Sequence, residues 1–136
     1  MAERKYNLTL GELLDRLCIL QLKEVMIPEN KEEYGKEIED VLFDINTLLP
    51  KSPYPTITAE FLRDLIVLAQ FNTHIWYNES EARKGNKDGN LLMLTHSING
   101  IRTTARNKMN KVMGERLDYK VDCLAADCEH WRPSGY

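Results

Sequence analysis

The chain has 136 residues, of which 43% are hydrophobic and 29% charged, with a formal net charge of −3 and three cysteines. That length holds one core rather than two, and the balance excludes disordered, fibrous and low-complexity classes. The longest apolar runs, such as residues 65–69, fall far short of the roughly 20 residues a membrane span needs, and the charged opening Met1-Ala2-Glu3-Arg4-Lys5 is unlike a secretory leader. A cytoplasmic protein with an odd, reduced set of thiols is the expectation.

In chain order, Thr9-Leu10-Gly11-Glu12 reads as a capping box opening a first helix that carries Leu10, Leu13, Leu14, Leu17, Leu20 and Val25 at helical spacing until Pro28. A second helix begins near Asn30 and aligns Ile38, Val41, Leu42, Ile45, Leu48 and Leu49 before Pro50. Residues 51–56, with two further prolines, form a linker. Thr58 caps a long third helix running to about Lys84, with Phe61, Leu65, Leu68, Ala69, Ile75 and Trp76 as its apolar stripe. Residues 85–90 are a reversing turn. The fourth helix starts around Leu91, turns Leu94, Ile98, Ile101, Ala105, Met109 and Val112 inward, and stops at Gly114. Residues 115–130 have the makings of a shorter helix, and 131–136 form an irregular tail. The fold class read from these elements is all-α: a single domain over 1–136, a compact antiparallel helical bundle of four to five helices with its core at about 8–130.

Charge is segregated along the chain. Residues 29–49 hold seven acids (Glu29, Glu32, Glu33, Glu37, Glu39, Asp40, Asp44), whereas no acid lies between Asp88 and Glu115, where Arg102, Arg106, Lys108 and Lys111 make the fourth helix basic. The plain interpretation is that the basic helix lies against the acidic one or faces solvent.

Polar groups also enter the expected core. Asn72, Trp76, Glu79 and Arg83 recur at steps of four, three and four on the third helix, and Asn99, Arg102 and Arg106 at steps of three and four on the fourth, with Thr95 and His96 a turn earlier. If the stripes face each other, Glu79 pairs with Arg102 or Arg106. Burying charges costs several kcal/mol, roughly, unless they are paired. One reason to accept that cost is a polar network that sets helix register. Another is a ligand pocket in which Trp76 stacks on a flat ring, Asn72, Glu79 and Asn99 orient sugar or base, and Arg102 and Arg106 hold anionic groups, with Arg83 a further ligand-binding residue on the same stripe.

Motifs for enzymatic phosphate transfer, hydrolysis or dinucleotide binding are absent: there is no Walker loop, GxSxG, HExxH or GxGxxG. Glu29-x2-Glu32, Glu33-x3-Glu37 and Glu37-x2-Asp40 offer carboxylates for a metal-dependent nucleotide pyrophosphohydrolase, but on a helix that reads as solvated. Cys123-x4-Cys128-x-His130 supplies three candidate metal ligands with no evident fourth, and His74 and His96 have no nucleophile beside them. No cofactor or metal is expected, and the negative net charge argues against nucleic acid.

The segment Leu10 to Ile19, the stripe Asn72-x3-Trp76-x2-Glu79-x3-Arg83, and Ile98-Asn99-Gly100-Ile101-Arg102 together resemble a loose group of small helical proteins of phages and bacteria. The likeness spans about residues 8–112 and implies a helical fold without a defined activity. By analogy, small helical phage proteins can counter bacterial immunity by sequestering nucleotide messengers, commonly as oligomers. The resulting expectation is a non-catalytic sponge, a homo-oligomer holding a nucleotide-derived small molecule. The alternatives are a helical protein–protein interaction module with a structural polar network, and the pyrophosphohydrolase.

Overall fold

The computed structural model describes residues 4–49, 57–85, 89–117 and 132–136. They form four α-helices, α1 (Leu10–Met26), α2 (Lys31–Leu48), α3 (Ala59–Arg83) and α4 (Gly89–Met113), with one 3-10 turn over Pro28–Asn30. No strand occurs among the described residues, and no described helix is long and apolar enough to cross a membrane.

Helix boundaries follow local chemistry. Thr9 Oγ1 accepts from Glu12 N at 3.2 Å while the Glu12 carboxylate turns back to Thr9, so the capping box forms. Thr58 Oγ1 accepts from Phe61 N at 3.1 Å and opens α3. Gly114 closes α4 at φ +67°, a left-handed value that an L side chain resists. The turn before α4 is shorter than its composition implied, because Gly89 and Asn90 already belong to the helix. The expected linker at 51–56 lies outside the described residues, as do 118–130 of the expected fifth helix; Glu115–Leu117 are irregular.

The core is built from Leu10, Leu13, Leu14 and Leu20 of α1, Phe61, Val67, Leu68, Phe71 and Ile75 of α3, and Ile98, Ile101, Ala105 and Met109 of α4. Full burial of such a side chain stabilises by about 1.5–3 kcal/mol. Only Ile45 of α2 is buried. Val25 and Leu42, expected inward, are 66% and 44% exposed.

The reason lies in the packing. α3 and α4 form the tightest pair, α1 lies against both, and α2 approaches α1 but neither α3 nor α4. An up-and-down bundle of four helices would normally close its ring by pairing α2 with α3. Here α1 also packs onto α3, and among the described residues α2 and α3 do not pair.

Candidate functional site

The polar site is assembled around Asp15, a carboxylate 4% exposed on α1. Its Oδ1 accepts from Asn72 Nδ2 of α3 at 2.7 Å, and its Oδ2 accepts from Arg106 Nη1 of α4 at 3.1 Å. Arg102 Nε stands 3.6 Å from the same Oδ2, while Arg102 Nη1 donates to Asn72 Oδ1 at 3.2 Å. Asn72 Nδ2 also reaches the Leu68 carbonyl at 3.1 Å, and Arg106 Nη2 reaches Thr103 Oγ1 at 3.3 Å. Three helices are thereby tied through one buried acid, and the acid's desolvation is offset by two cations and an amide.

α1 and α4 come together closely just below this cluster. Gly11 N donates to Asn110 Oδ1 at 2.7 Å, and Leu10 N donates to Glu115 Oε2 at 2.8 Å. With Glu12 N held by Thr9, the first amides of α1 are satisfied within the chain. A Cβ at Gly11 would lie 2.7 Å from both the Arg106 carbonyl and Asn110 Oδ1. Arg116 adds a bond to Glu12 Oε1 at 3.0 Å and another to the Asn7 carbonyl, and its guanidinium lies 4.0 Å from the Tyr6 ring centre.

Of the residues expected at the site, Asn72, Arg102 and Arg106 are brought together. Trp76 is half-buried one turn beyond Asn72, and Asn99 is half-buried one turn before Arg102. Glu79 and Arg83 are exposed, two and three turns beyond Asn72. The carboxylate facing Arg102 and Arg106 is therefore Asp15 of α1, not Glu79. A stripe stays on one side of its own helix, but neighbouring helices need not cover its whole length. The basic helix likewise does not lie against the acidic one, since α2 never approaches α4.

Sequence reasoning missed Asp15, although Gly11 and Asp15 are four residues apart on one face of a leucine-rich helix. A lone glycine there marks close backbone approach, and the acid one turn on points the same way. It also missed Asn110 and Asn78, which are 2% and 5% exposed. Asn78 Nδ2 has no hydrogen-bond partner among the described residues.

Two hollows flank the cluster. A polar cavity of about 230 Å³ is lined by Tyr6, Glu12, Arg106, Asn107, Asn110, Arg116 and Leu117. On the open side of the bundle, an apolar groove of about 580 Å³ has Leu14, Leu17, Cys18 and Leu22 of α1 as its floor, with Ile38 and Leu42 of α2 on one wall and Leu65, Ala69 and Thr73 of α3 on the other. Burial, and then the Asp15 carboxylate one turn away, push the Cys18 thiol up to about 11. The acids of α2 are exposed, and no group of three His, Cys, Asp or Glu side chains among the described residues is placed to hold a metal. Cys123, Cys128 and His130 lie outside the described residues.

No protein-family model, curated protein or solved structure matches the chain.

Proposed function

We propose that this chain is a non-catalytic helical interaction module whose apolar groove receives a helix of a protein partner. The observation that supports this most directly is the groove itself, whose floor of Leu14, Leu17, Cys18 and Leu22, with Gln21 beside them, runs between two helical walls. A helix laid in such a groove buries residues at i, i+3, i+4 and i+7, the spacing that amphipathic helices supply. The Asp15 cluster then serves to hold α1, the floor, at a fixed height and angle against α3 and α4.

Binding of a labelled amphipathic helical peptide, followed by fluorescence anisotropy, tests the module. Leu42→Glu should weaken the peptide at least tenfold with an unchanged circular dichroism spectrum, whereas an indifferent Leu42→Glu, or no binding at all, refutes groove docking.

A second reading, sequestration of a nucleotide-derived anion, is favoured by the polar cavity, where two guanidiniums and two amides converge on one hollow. Its volume of about 230 Å³ is below the roughly 300 Å³ at which small-molecule pockets usually begin, so it suits a phosphate or sugar moiety rather than a whole nucleotide. Moreover, Arg116 is shared with Glu12, and Arg106 with Asp15. A thermal shift with linear or cyclic nucleotides that disappears in Arg116→Ala would favour this second reading over the module.

A further inference from the structure

Residues 133–136, Pro-Ser-Gly-Tyr, carry a shape of their own. Proline restricts the backbone where the turn begins, and Gly135 at φ +82° takes the left-handed value that the second central position of a tight turn requires. Tyr136 N donates to the Pro133 carbonyl at 3.1 Å and closes the turn. Ser134 and Gly135 are exposed, while Tyr136 is half-buried and packs against the edge of the core. The segment thus meets the helices as a small preformed ligand does, through one side chain and two carbonyls.

Three side chains along the seam of α3 and α4 receive it. Arg63 Nη1 donates to the Ser134 carbonyl at 2.8 Å, and Lys108 Nζ donates to the Gly135 carbonyl at 2.7 Å. Both cations also attend the tyrosine ring, with Lys108 Nζ 3.9 Å and Arg63 Cζ 5.9 Å from its centre. Asp64, 8% exposed, accepts from Tyr136 Oη. The contact at Asp64 points to a ligand. Asp15, also buried, is matched by arginines of α4, whereas the hydrogen bond described at Asp64 comes from a neutral phenol 72 positions along the chain. A buried carboxylate is costly without such a bond, so α3 holds an acid whose satisfaction depends on a tyrosine delivered to it. None of these three side chains lines the apolar groove or the polar cavity.

We propose that Arg63, Asp64 and Lys108 form a recognition site for a tyrosine-bearing peptide turn, and that residues 133–136 are its ligand in cis, held reversibly. The two carbonyl bonds select the turn, the two cations select an aromatic ring, and Asp64 selects a hydroxyl upon it. The contacts are few and lie at the surface, so the segment opens locally without unfolding the helices. Its tether holds it at an effective concentration in the millimolar range, roughly, which fills the site and makes a free peptide compete for it. This site stands apart from the apolar groove and does not depend on a helix binding there.

An acetylated and amidated peptide of residues 132–136, titrated into the isotope-labelled full chain and followed by NMR, tests the site, with circular dichroism to verify the fold of each variant. Tyr136→Ala empties the site, so the peptide should bind that chain at least about tenfold more tightly than the wild type and shift the Asp64 and Lys108 signals. Tyr136→Phe within the peptide should weaken it about tenfold, the effect of one hydrogen bond to a charged group. Lys108→Glu, added to the emptied chain, should abolish binding. Equal affinity for the wild-type and emptied chains, or binding indifferent to Lys108→Glu, places the peptide elsewhere and overturns the proposal. A folded Tyr136→Ala chain that binds no peptide also overturns it, by making the segment a fixed part of the fold. The wild-type chain gives a second measurement that needs no substitution. Excess peptide should speed hydrogen exchange at the Tyr136 amide while the Met109 amide inside α4 keeps its protection, and unchanged exchange at Tyr136 under saturating peptide overturns the reversible site.

Discussion

The junction of α1, α3 and α4 and the open side between α2 and α3 contrast in how they meet water. At the junction, charged groups have left solvent: Asp15 and Asn72 are bonded to each other and to Arg106 and Arg102, while Arg102 Nε, 3.6 Å from Asp15 Oδ2, has no hydrogen-bond partner among the described residues. On the open side, apolar groups remain in solvent with nothing described beside them: Leu42 and Ile66 are 44% and 61% exposed. Each departs from the ordinary rule that charge faces out and hydrocarbon faces in. The difference is that the first departure is largely compensated within the chain, whereas the second has no compensation among the described residues. Polar residues in a core are thus weak evidence for a ligand unless their hydrogen-bonding capacity is left over.

That contrast breaks most readily at Asp15. Asp15→Ala leaves two mostly buried guanidiniums facing apolar surroundings and should destabilise by about 3–5 kcal/mol in urea denaturation. Replacing the cluster together, as Asp15→Leu, Arg102→Met and Arg106→Leu, should recover most of that loss, because no charge is then stranded. A triple variant as unstable as the single one would mean that the cluster does more than satisfy itself.

Gly11→Ala comes next. Alanine favours a helix by up to about 1 kcal/mol, but its Cβ would meet the Arg106 carbonyl and Asn110 Oδ1 at 2.7 Å. A net loss of about 1–3 kcal/mol is expected in urea denaturation.

A smaller loss is expected where residues 132–136 dock on α3 and α4. Tyr136 Oη donates to the buried Asp64, its ring lies 3.9 Å from Lys108 Nζ, and Lys108 and Arg63 bind the Gly135 and Ser134 carbonyls. Burial, and then the bond to Asp64, push the phenol above its ordinary value. Tyr136→Phe should cost about 1.5 kcal/mol, near the low end for a hydrogen bond to a charged group.

On the open side, Leu42→Glu should change the stability of the isolated chain by no more than about 0.5 kcal/mol, since it fills no core space. A pH-dependent effect concerns Cys18. Burial, and then Asp15, push its thiol from the usual 9.0 up to about 11, so the folded state retains the proton longer than the unfolded one. Its contribution is complete below pH 9 and is lost as pH rises toward 11. Cys18→Ala should flatten that part of the alkaline decline, measured by chemical denaturation across the window.

Helix existence and most caps were legible in the sequence because they depend on neighbours a few residues away. The Thr9–Glu12 box, the Thr58 cap and the Gly114 stop involve contacts within one turn, and the heptad-like runs of α3 and α4 report which side of each helix avoids water. The polar stripes were legible in part. Asn72, Arg102 and Arg106 belong to one cluster, but their carboxylate partner lies 57 to 91 positions away from them in the chain, beyond the reach of helical spacing.

Residue order by itself therefore determined an all-α chain, its helix limits and the presence of polar groups within apolar faces. Tertiary structure alone decided that α1 packs onto α3, that Asp15 meets the two arginines, and that α2 stands away from α3 beside a groove. The physical reason is range: capping and periodicity act over one or two turns, whereas the burial of a stripe depends on which helix covers it and for how much of its length.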